Sequence, residues 1–98
     1  MKIFVDIDET ICNTSGDKHT PRDYGTAAPI TENIEAVNRL YEEGHEITYW
    51  TARGSMTGVD WFGITKAQLI KWGAKHHCLM LGKPAYDLYI DDKSIEQL

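Results

Sequence analysis

Residues 1–10 read MKIFVDIDET, and this stretch decides the fold. Residues 1–7 are mostly β-forming apolar side chains, a composition typical of a short buried strand. The strand ends in acids, because Asp6 and Asp8 fall at its carboxyl end and Glu9 follows them. Ligand sites of parallel sheets lie beyond the carboxyl ends of the strands, so these acids are candidates for a functional site.

Working outward from that strand, the next regular elements are a helix and a second strand. The apolar face of the predicted helix, residues 31–43, contains Ile34, Val37, Leu40 and Tyr41. Gly44 stands where a left-handed residue ends a helix. Residues 46–50, EITYW, are predicted to be the second strand.

A second helix is predicted to begin at Thr65. Thr65 and Gln68 match a T-x-x-Q capping box, and Ile64 and Leu69 have the spacing of a hydrophobic staple. The helix is predicted to end at Gly73.

Two further short strands are predicted over residues 78–81 and 88–91. The alternation of strand and helix leaves crossovers long enough for parallel pairing. Right-handed crossovers then give a three-layer α/β sandwich around a small parallel sheet. Residues 12–30 are rich in Gly, Pro, Thr and Asp and are interpreted as a loop or small hairpin.

Length and charge limit the classes of function. The 98 residues suit one domain, residues 1–98, and 15 Asp and Glu against 10 Lys and Arg give a net charge of −5. An acidic chain is a poor match for a nucleic-acid partner, and no apolar run is long enough for a membrane partner. With no signal peptide recognised, we expect a cytoplasmic protein in which Cys12 and Cys78 are reduced thiols.

The predicted topology gathers acids, a hydroxyl and a lysine at one edge of the sheet. These side chains follow the four predicted strands and are Asp6, Asp8, Thr51, Lys83, Asp91 and Asp92. Carboxylates placed this close together are costly without a cation. Hard oxygen ligands with open coordination positions suit Mg²⁺, which is therefore the predicted cofactor.

In these residues the sequence resembles the haloacid-dehalogenase-like (HAD) phosphohydrolase superfamily. The D-x-D-x-T signature appears at residues 6–10, the hydroxyl of the second motif at Thr51, the lysine of the third at Lys83 and the acidic fourth motif at Asp91-Asp92. The order of the four motifs matches, and they span nearly the whole chain.

Within the superfamily the chain is similar to small phosphatases of capsule and surface-polysaccharide biosynthesis that lack a cap domain. The similarity lies in the T-A-R stretch at Thr51, the G-K-P stretch at Lys83 and the Y-I-D-D-K ending. The resemblance implies a Rossmannoid sandwich with strand order 4-1-2-3 and no cap domain. Residues 12–30 then occupy the position of the family's flap.

The resemblance also implies a role for each motif residue. Asp6 would be the nucleophile, Asp8 the general acid and base, and Thr51 and Lys83 the ligands of the phosphate oxygens. Mg²⁺ would bind to Asp6, the backbone carbonyl of Asp8 and Asp91. Supporting roles would fall to Asp92, beside the metal or Lys83, and to Thr10, in the turn after the nucleophile.

The expected activity is hydrolysis of a phosphomonoester through an aspartyl-phosphate, on a small metabolite such as a sugar phosphate of glycan precursor synthesis. Dehalogenases of the superfamily lack an acid at the position of Asp8, and its transport ATPases carry Thr there. Two alternatives stay open: a non-catalytic module that binds phosphate or metal, and a phosphatase for a nucleotide or macromolecular substrate.

Residues outside the motifs have two readings each. His19, Arg22, Lys18 and Tyr24 lie in the flap, where they either contact the leaving group or are simply solvated. Arg53 either contacts substrate or pairs with an acid. Trp61 and Phe62 either line the site or a subunit contact, or pack locally, and we expect a homo-oligomer in which a neighbour helps to close the site. The adjacent His76 and His77 should diverge, as is usual for a surface turn.

Overall fold

A computed structural model describes residues 1–15, 23–85 and 90–92 of the chain. It contains five strands and two helices in these ranges. In chain order they are β1 (Lys2–Val5), β2 (Cys12–Ser15), β3 (Asp23–Pro29), α1 (Thr31–Glu42), β4 (Glu46–Trp50), α2 (Phe62–Lys71) and β5 (Cys78–Met80).

Three strands form a parallel sheet in the order β1-β4-β5. In its register Val5 is paired with Tyr49, and Tyr49 in turn is paired with Leu79. The protein is thus a small α/β domain with a parallel three-stranded sheet in the described residues. Of the fourth predicted strand, residues 88–91, the first two residues lie outside the described residues and the last two are not in a strand, so the four-strand order stays a prediction.

The core lies on one face of this sheet. It is formed by side chains from the sheet, both helices and the turn after β1, namely Ile7, Ile11, Cys12, Ile34, Ile47, Tyr49, Leu69, Ala74 and Leu79. The predicted apolar face of α1 is confirmed, because Ile34 is buried and Val37, Leu40 and Tyr41 pack against the core. Burial of an aliphatic side chain of this size contributes about 1.5–3 kcal/mol, so this face fixes α1 on the sheet.

Only one face of β1 packs against the core and none of its residues is fully buried, which corrects the prediction of a buried strand over residues 1–7. Ile3 and Val5 pack against the core, whereas Phe4 is 56% exposed. Strand side chains alternate between faces, so Phe4 points to the opposite side. There its ring meets the Trp50 ring edge to face, with 5.9 Å between centroids.

The end of α1 confirms the sequence prediction to within one residue. Glu43 is the C-cap, and Gly44 has a φ of 95°, the left-handed region that glycine adopts without a Cβ clash. The Gly44 N–H donates to Tyr41 O, and the His45 N–H donates to Leu40 O. These bonds satisfy carbonyls in the last turn and direct the chain into β4.

The capping box predicted at Thr65 is wrong. The helix α2 begins at Phe62, so Thr65 lies inside it, fully buried. Instead of capping α2, Thr65 and Gln68 accept hydrogen bonds from the guanidinium of Arg53. Bonds to a charged donor are stronger than neutral ones, which explains why these side chains turn to Arg53. The Phe62 N–H instead donates to Asp60 Oδ1 at 3.0 Å.

The flap contains an antiparallel hairpin of β2 and β3, as the hairpin reading of residues 12–30 predicts. Cys12 lies in the hairpin, buried, and Cys78 is exposed in β5; both are free thiols, as predicted. Neither α1 nor α2 has the length and hydrophobicity that a membrane-spanning helix needs in the part of the chain that the structure describes.

Candidate active site at the carboxyl edge of the sheet

A cavity of about 390 Å³ opens at the carboxyl edge of the sheet. Its wall is formed by residues that follow β1, β4 and β5, together with one residue of the flap. They are Asp6, Asp8, Glu9, Tyr24, Ala52, Arg53, Lys83, Pro84 and Ala85. Three parallel strands end side by side here, which is why residues distant in sequence share one cavity.

Asp6 and Lys83 face each other across this cavity. Lys83 Nζ lies 3.6 Å from Asp6 Oδ1, and the Asp6 side chain is 42% exposed. The backbone of Lys83 is fixed on two sides: its N–H donates to Thr51 O at 3.2 Å, and its carbonyl accepts from Ser55 Oγ at 2.7 Å. The ammonium group is thereby held beside an accessible carboxylate.

Asp8 is bound far more tightly, by the guanidinium of Arg53. Arg53 Nη2 lies 2.8 Å from Asp8 Oδ1, and Arg53 Nε lies 3.1 Å from Asp8 Oδ2. The Arg53 side chain is completely buried and the Asp8 side chain is 16% exposed. Of the two readings of Arg53, the structure shows pairing with an acid.

Every N–H group of the Arg53 side chain has an acceptor in the protein. Nε and Nη2 donate to Asp8, Nη1 donates to Thr65 Oγ1 and Gln68 Oε1, and Nη2 also donates to Cys12 Sγ. A guanidinium has five N–H donors, and these bonds account for all five. The face of the guanidinium lies over the Tyr24 ring, 4.8 Å from its centroid.

Thr51 lies behind the cavity wall. Its side chain is buried, and its Oγ1 accepts a hydrogen bond from the Arg53 N–H at 3.1 Å. Ala52 and Arg53 form the wall at the end of β4.

The turn after Asp8 contains a left-handed residue whose backbone conformation sequence reasoning missed. Glu9 has a φ of 65°, which costs a residue other than glycine about 1–3 kcal/mol. Its Oε1 accepts from both Thr14 N–H and Thr14 Oγ1, which ties the turn to β2. Glu9 lines the cavity, and nothing in the local sequence signals its left-handed backbone.

Thr10, predicted to order this turn, does so through its backbone. The Thr10 N–H donates to Ile7 O at 3.1 Å, and the Thr10 carbonyl accepts from Asn33 Nδ2 at 2.8 Å. The second bond joins the turn to the first residues of α1.

Cys12 lies beneath Asp8 and Arg53. Its Sγ is 3.6 Å from Asp8 Oδ1 and 3.8 Å from Arg53 Nη2. Burial and the neighbouring Asp8 carboxylate raise the pKa of the Cys12 thiol to about 12. Cys12 is therefore a protonated thiol and not a nucleophile.

Two of the predicted metal ligands lie on the cavity wall. Asp6 and Asp8 lie on the cavity wall, while Asp91 is half-buried and Asp92 exposed further along the chain. The described residues contain no group of three His, Cys, Asp or Glu side chains that could hold a metal ion. The predicted set uses two carboxylates and one backbone carbonyl, and so does not require three such side chains.

The flap residues divide into two groups. Lys18, His19 and Arg22 lie outside the described residues, and their substrate contacts stay a prediction. Tyr24 lies on the cavity wall, and its ring packs edge to face against Trp61 at 5.1 Å.

His76 and His77 diverge, as predicted for adjacent residues. His76 Nε2 lies 2.8 Å from Lys66 Nζ, whereas His77 Nδ1 accepts from the Ile47 N–H and its ring stacks on Tyr41. Both side chains lie in packing contacts away from the cavity.

Comparison with known proteins gives a structural relative. No family model and no curated protein matches the chain. The crystal structure of a structural-genomics target from Vibrio cholerae is similar, with a TM-score of 0.77 and 28% sequence identity over 95% of this chain and 81% of that chain. No activity is named for that protein, so the similarity supports the fold only. The function has to be inferred from the chemistry of the cavity.

Proposed function

We propose that this protein is a Mg²⁺-dependent phosphomonoester hydrolase of the HAD-like superfamily that acts through an aspartyl-phosphate. The observation that carries the proposal is the placement of Asp6, Asp8 and Lys83 on one cavity at the carboxyl edge of a parallel sheet. A nucleophile, a second carboxylate and a cation for the phosphate are the groups that phosphoryl transfer to an enzyme carboxylate requires.

In this proposal Asp6 is the nucleophile. Its carboxylate is accessible from the cavity and attacks phosphorus in line, so that an oxygen–phosphorus bond forms while the bond to the leaving alcohol breaks. Lys83 Nζ, 3.6 Å from Asp6, offsets the negative charge of the carboxylate and the approaching phosphate.

Asp8 supplies and removes the proton. It donates a proton to the leaving oxygen in the first step and accepts one from the water that hydrolyses the aspartyl-phosphate in the second. The protonation state of Asp8 is thus restored after each turnover.

Thr51 is proposed to supply its hydroxyl to the phosphate from behind the wall formed by Ala52 and Arg53. Its oxygen accepts from the Arg53 N–H, which leaves the hydroxyl proton for another acceptor, and in this proposal that acceptor is a phosphate oxygen.

The donor set at the cavity fits Mg²⁺. The Asp6 carboxylate and the Asp8 carbonyl belong to one short segment, and Asp91 would complete the ligands, with Asp92 supporting them. These are hard oxygen donors, and Asp6 is solvent-accessible, which leaves room for the water ligands that Mg²⁺ retains. When bound, Mg²⁺ would supply positive charge to the phosphate oxygens.

The substrate proposed is a small phosphorylated metabolite, with a sugar phosphate of glycan precursor synthesis as the first candidate. A cavity of about 390 Å³ is within the usual range for a small ligand. The finer fold proposed is a three-layer Rossmannoid sandwich with strand order 4-1-2-3 and no cap domain.

A neighbouring subunit is proposed to help close the cavity. Phe62 is 47% exposed at the start of α2, beside Trp61, which packs on the cavity residue Tyr24. Light scattering of wild type and Phe62→Ser should show an oligomer that the substitution weakens. A monomeric wild type that turns over a small sugar phosphate efficiently would contradict this assembly.

The experiment that tests the function is phosphate release from an aryl phosphate with Mg²⁺ or with a chelator. We expect release with Mg²⁺ alone and none from Asp6→Asn. Glu35→Gln removes one exposed carboxylate of α1, away from the cavity, and is the matched control. If wild type releases no phosphate, the non-catalytic reading replaces this one. A screen of phosphorylated sugars, nucleotides and small acids would then define the substrate of an active enzyme.

A further inference from the structure

We propose that Arg53 is a positioning residue that orients the carboxylate of Asp8 and connects it to α2 and the flap. This inference rests on the proposed function, because it assigns Arg53 a task within that reaction. It replaces the reading of Arg53 as a substrate ligand.

The guanidinium of Arg53 has no N–H group left to bind a substrate. All five N–H groups of the guanidinium are bound to Asp8, Thr65, Gln68 and Cys12. A phosphate or sugar hydroxyl would have to displace one of these buried bonds, at the full desolvation cost of the acceptor left behind. Arg53 therefore acts on the reaction through Asp8.

Arg53 is itself held in place by α2. Its Nη1 is bound by two side chains of α2, Thr65 and Gln68, at 3.0 and 2.6 Å. Gln68 also donates through Nε2 to the carbonyl of Tyr24, and the Tyr24 ring lies against the guanidinium. One buried group thereby joins Asp8, α2 and strand β3 of the flap.

The two carboxylate oxygens of Asp8 are bound unequally. Oδ1 accepts from Arg53 Nη2 and Nε and from Cys12 Sγ, whereas Oδ2 accepts from Arg53 Nε. The more heavily bound oxygen is fixed, so the geometry points to Oδ2 as the atom that exchanges the proton. In the first step the O–H bond at Oδ2 breaks and the proton passes to the oxygen that leaves phosphorus.

The test compares two substrates that differ in their need for this proton. The alkoxide of an alkyl phosphate is a poor leaving group and requires the acid, whereas the nitrophenolate of a nitrophenyl phosphate leaves phosphorus readily without it. The parameter kcat/KM reports the steps up to formation of the aspartyl-phosphate, so it isolates the acid step from the later hydrolysis.

Arg53→Lys keeps the charge and loses the fork of donors. We expect kcat/KM for the alkyl phosphate to fall about 10²-fold, the scale of a catalytic group displaced by about 1 Å. We expect kcat/KM for nitrophenyl phosphate and inhibition by inorganic phosphate to stay near wild type. Arg39→Lys, at an exposed position of α1, is the matched control and should change neither substrate.

A double variant shows whether the effect passes through Asp8. In an Asp8→Asn background, Arg53→Lys should cause no further loss with the alkyl phosphate, because the acid is already absent. If Arg53→Lys does not fold, Thr65→Val and Gln68→Met loosen the guanidinium without removing it. Both should lower kcat/KM for the alkyl phosphate selectively, by a smaller factor.

Each outcome decides the proposal. One contrary result is that Arg53→Lys lowers kcat/KM equally for both substrates, weakens inhibition by inorganic phosphate and causes the same loss in the Asp8→Asn background. That combination would show that Arg53 binds phosphate directly. Unchanged kinetics in Arg53→Lys or in both α2 variants would also overturn the positioning role. A wild type that hydrolyses neither substrate overturns the proposed function and removes the positioning role with it. If wild type is active but the losses caused by Arg53→Lys and Asp8→Asn add in the double variant, only the positioning role of Arg53 is overturned.

Discussion

The two ion pairs on the cavity wall, Asp6–Lys83 and Asp8–Arg53, are built in opposite ways. The first is a 3.6 Å contact around a carboxylate that is 42% exposed. The second is a 2.8 Å contact to a guanidinium with no exposed surface. Asp6 and Asp8, separated by one residue, therefore differ in solvent exposure and in how firmly they are bound. Exposure suits Asp6 to nucleophilic attack, and the buried pair holds Asp8 in a fixed orientation.

The two pairs also differ in what they contribute to stability. In the Asp6–Lys83 pair the carboxylate is 42% and the lysine side chain 16% exposed, so solvent partly screens the attraction and its contribution is smaller than that of a fully buried pair. Removing one partner of a buried pair costs about 3–5 kcal/mol, since a charge is left without compensation. Substitutions at the two acids should therefore separate catalysis from folding.

The largest effect on turnover is expected from Asp6→Asn. The amide keeps the shape of the side chain but is a poor nucleophile, so phosphatase activity should be abolished. The melting temperature should stay close to wild type, because the pair with Lys83 is loose and partly exposed. Near wild-type turnover in this variant would show that the reaction is not covalent at Asp6.

Asp8→Asn should slow turnover by roughly 10²–10⁴-fold, the usual contribution of general acid–base catalysis. Unlike Asp6→Asn, it should also lower the free energy of unfolding, by about 3–5 kcal/mol, because the buried guanidinium loses its charged acceptor. Urea denaturation of the two variants measures this contrast. Mg²⁺ affinity should persist in Asp8→Asn, since the proposed ligand there is the backbone carbonyl, and its loss would show that the side chain has another role.

Mg²⁺ should raise the melting temperature, because a ligand that binds the native state stabilises it, by about 2.7 kcal/mol at 100 times Kd. Asp91→Ala should remove most of this effect, and Glu35→Ala on the exposed surface of α1 should leave it intact. Calorimetric titration of both variants provides the affinities. Unchanged Mg²⁺ affinity in Asp91→Ala would remove Asp91 from the proposed ligands.

The smallest effect lies away from the cavity, at His76. Burial lowers the pKa of His76 below 6.5, and the Lys66 ammonium, with Nζ 2.8 Å from Nε2, lowers it further. The unfolded chain therefore binds this proton at a higher pH than the folded chain does. The stability contributed by the neutral ring is complete above pH 6.5 and is lost as the pH falls below that value.

Melting temperatures measured from about pH 8 to about pH 5 should show this loss, and His76→Gln should flatten it. The comparison uses the pH dependence and not the absolute melting temperature, because the substitution also removes the contact with the Tyr49 ring. Equal slopes in the two proteins would mean that His76 does not titrate differently on folding.

Elements defined by local pattern were predictable from the sequence. The bounds of β4 follow from the run EITYW, and the end of α1 follows from Gly44, because one glycine in the left-handed region suffices to stop a helix. The presence of Asp6, Asp8 and Lys83 on one cavity also follows, since parallel strands align their carboxyl ends.

Features set by contacts between distant residues were not predictable. The start of α2 was misplaced because Thr65 and Gln68 have the spacing of a capping box but bind Arg53. The partner of Arg53 could not be predicted, because an arginine that follows a strand can bind a substrate or pair with an acid, and the sequence does not distinguish the two. The left-handed backbone of Glu9 was missed because residue type does not favour it there.

The burial of Cys12 gives the protein a built-in chemical reporter. With its pKa raised to about 12 and its sulfur beneath Asp8 and Arg53, Cys12 resists alkylation in the native state. Exposed Cys78 reacts first and serves as an internal reference on the same chain. The ratio of the labelling rates of Cys12 and Cys78 then reports how often the region around Cys12, Asp8 and Arg53 opens, and the measurement needs no substrate.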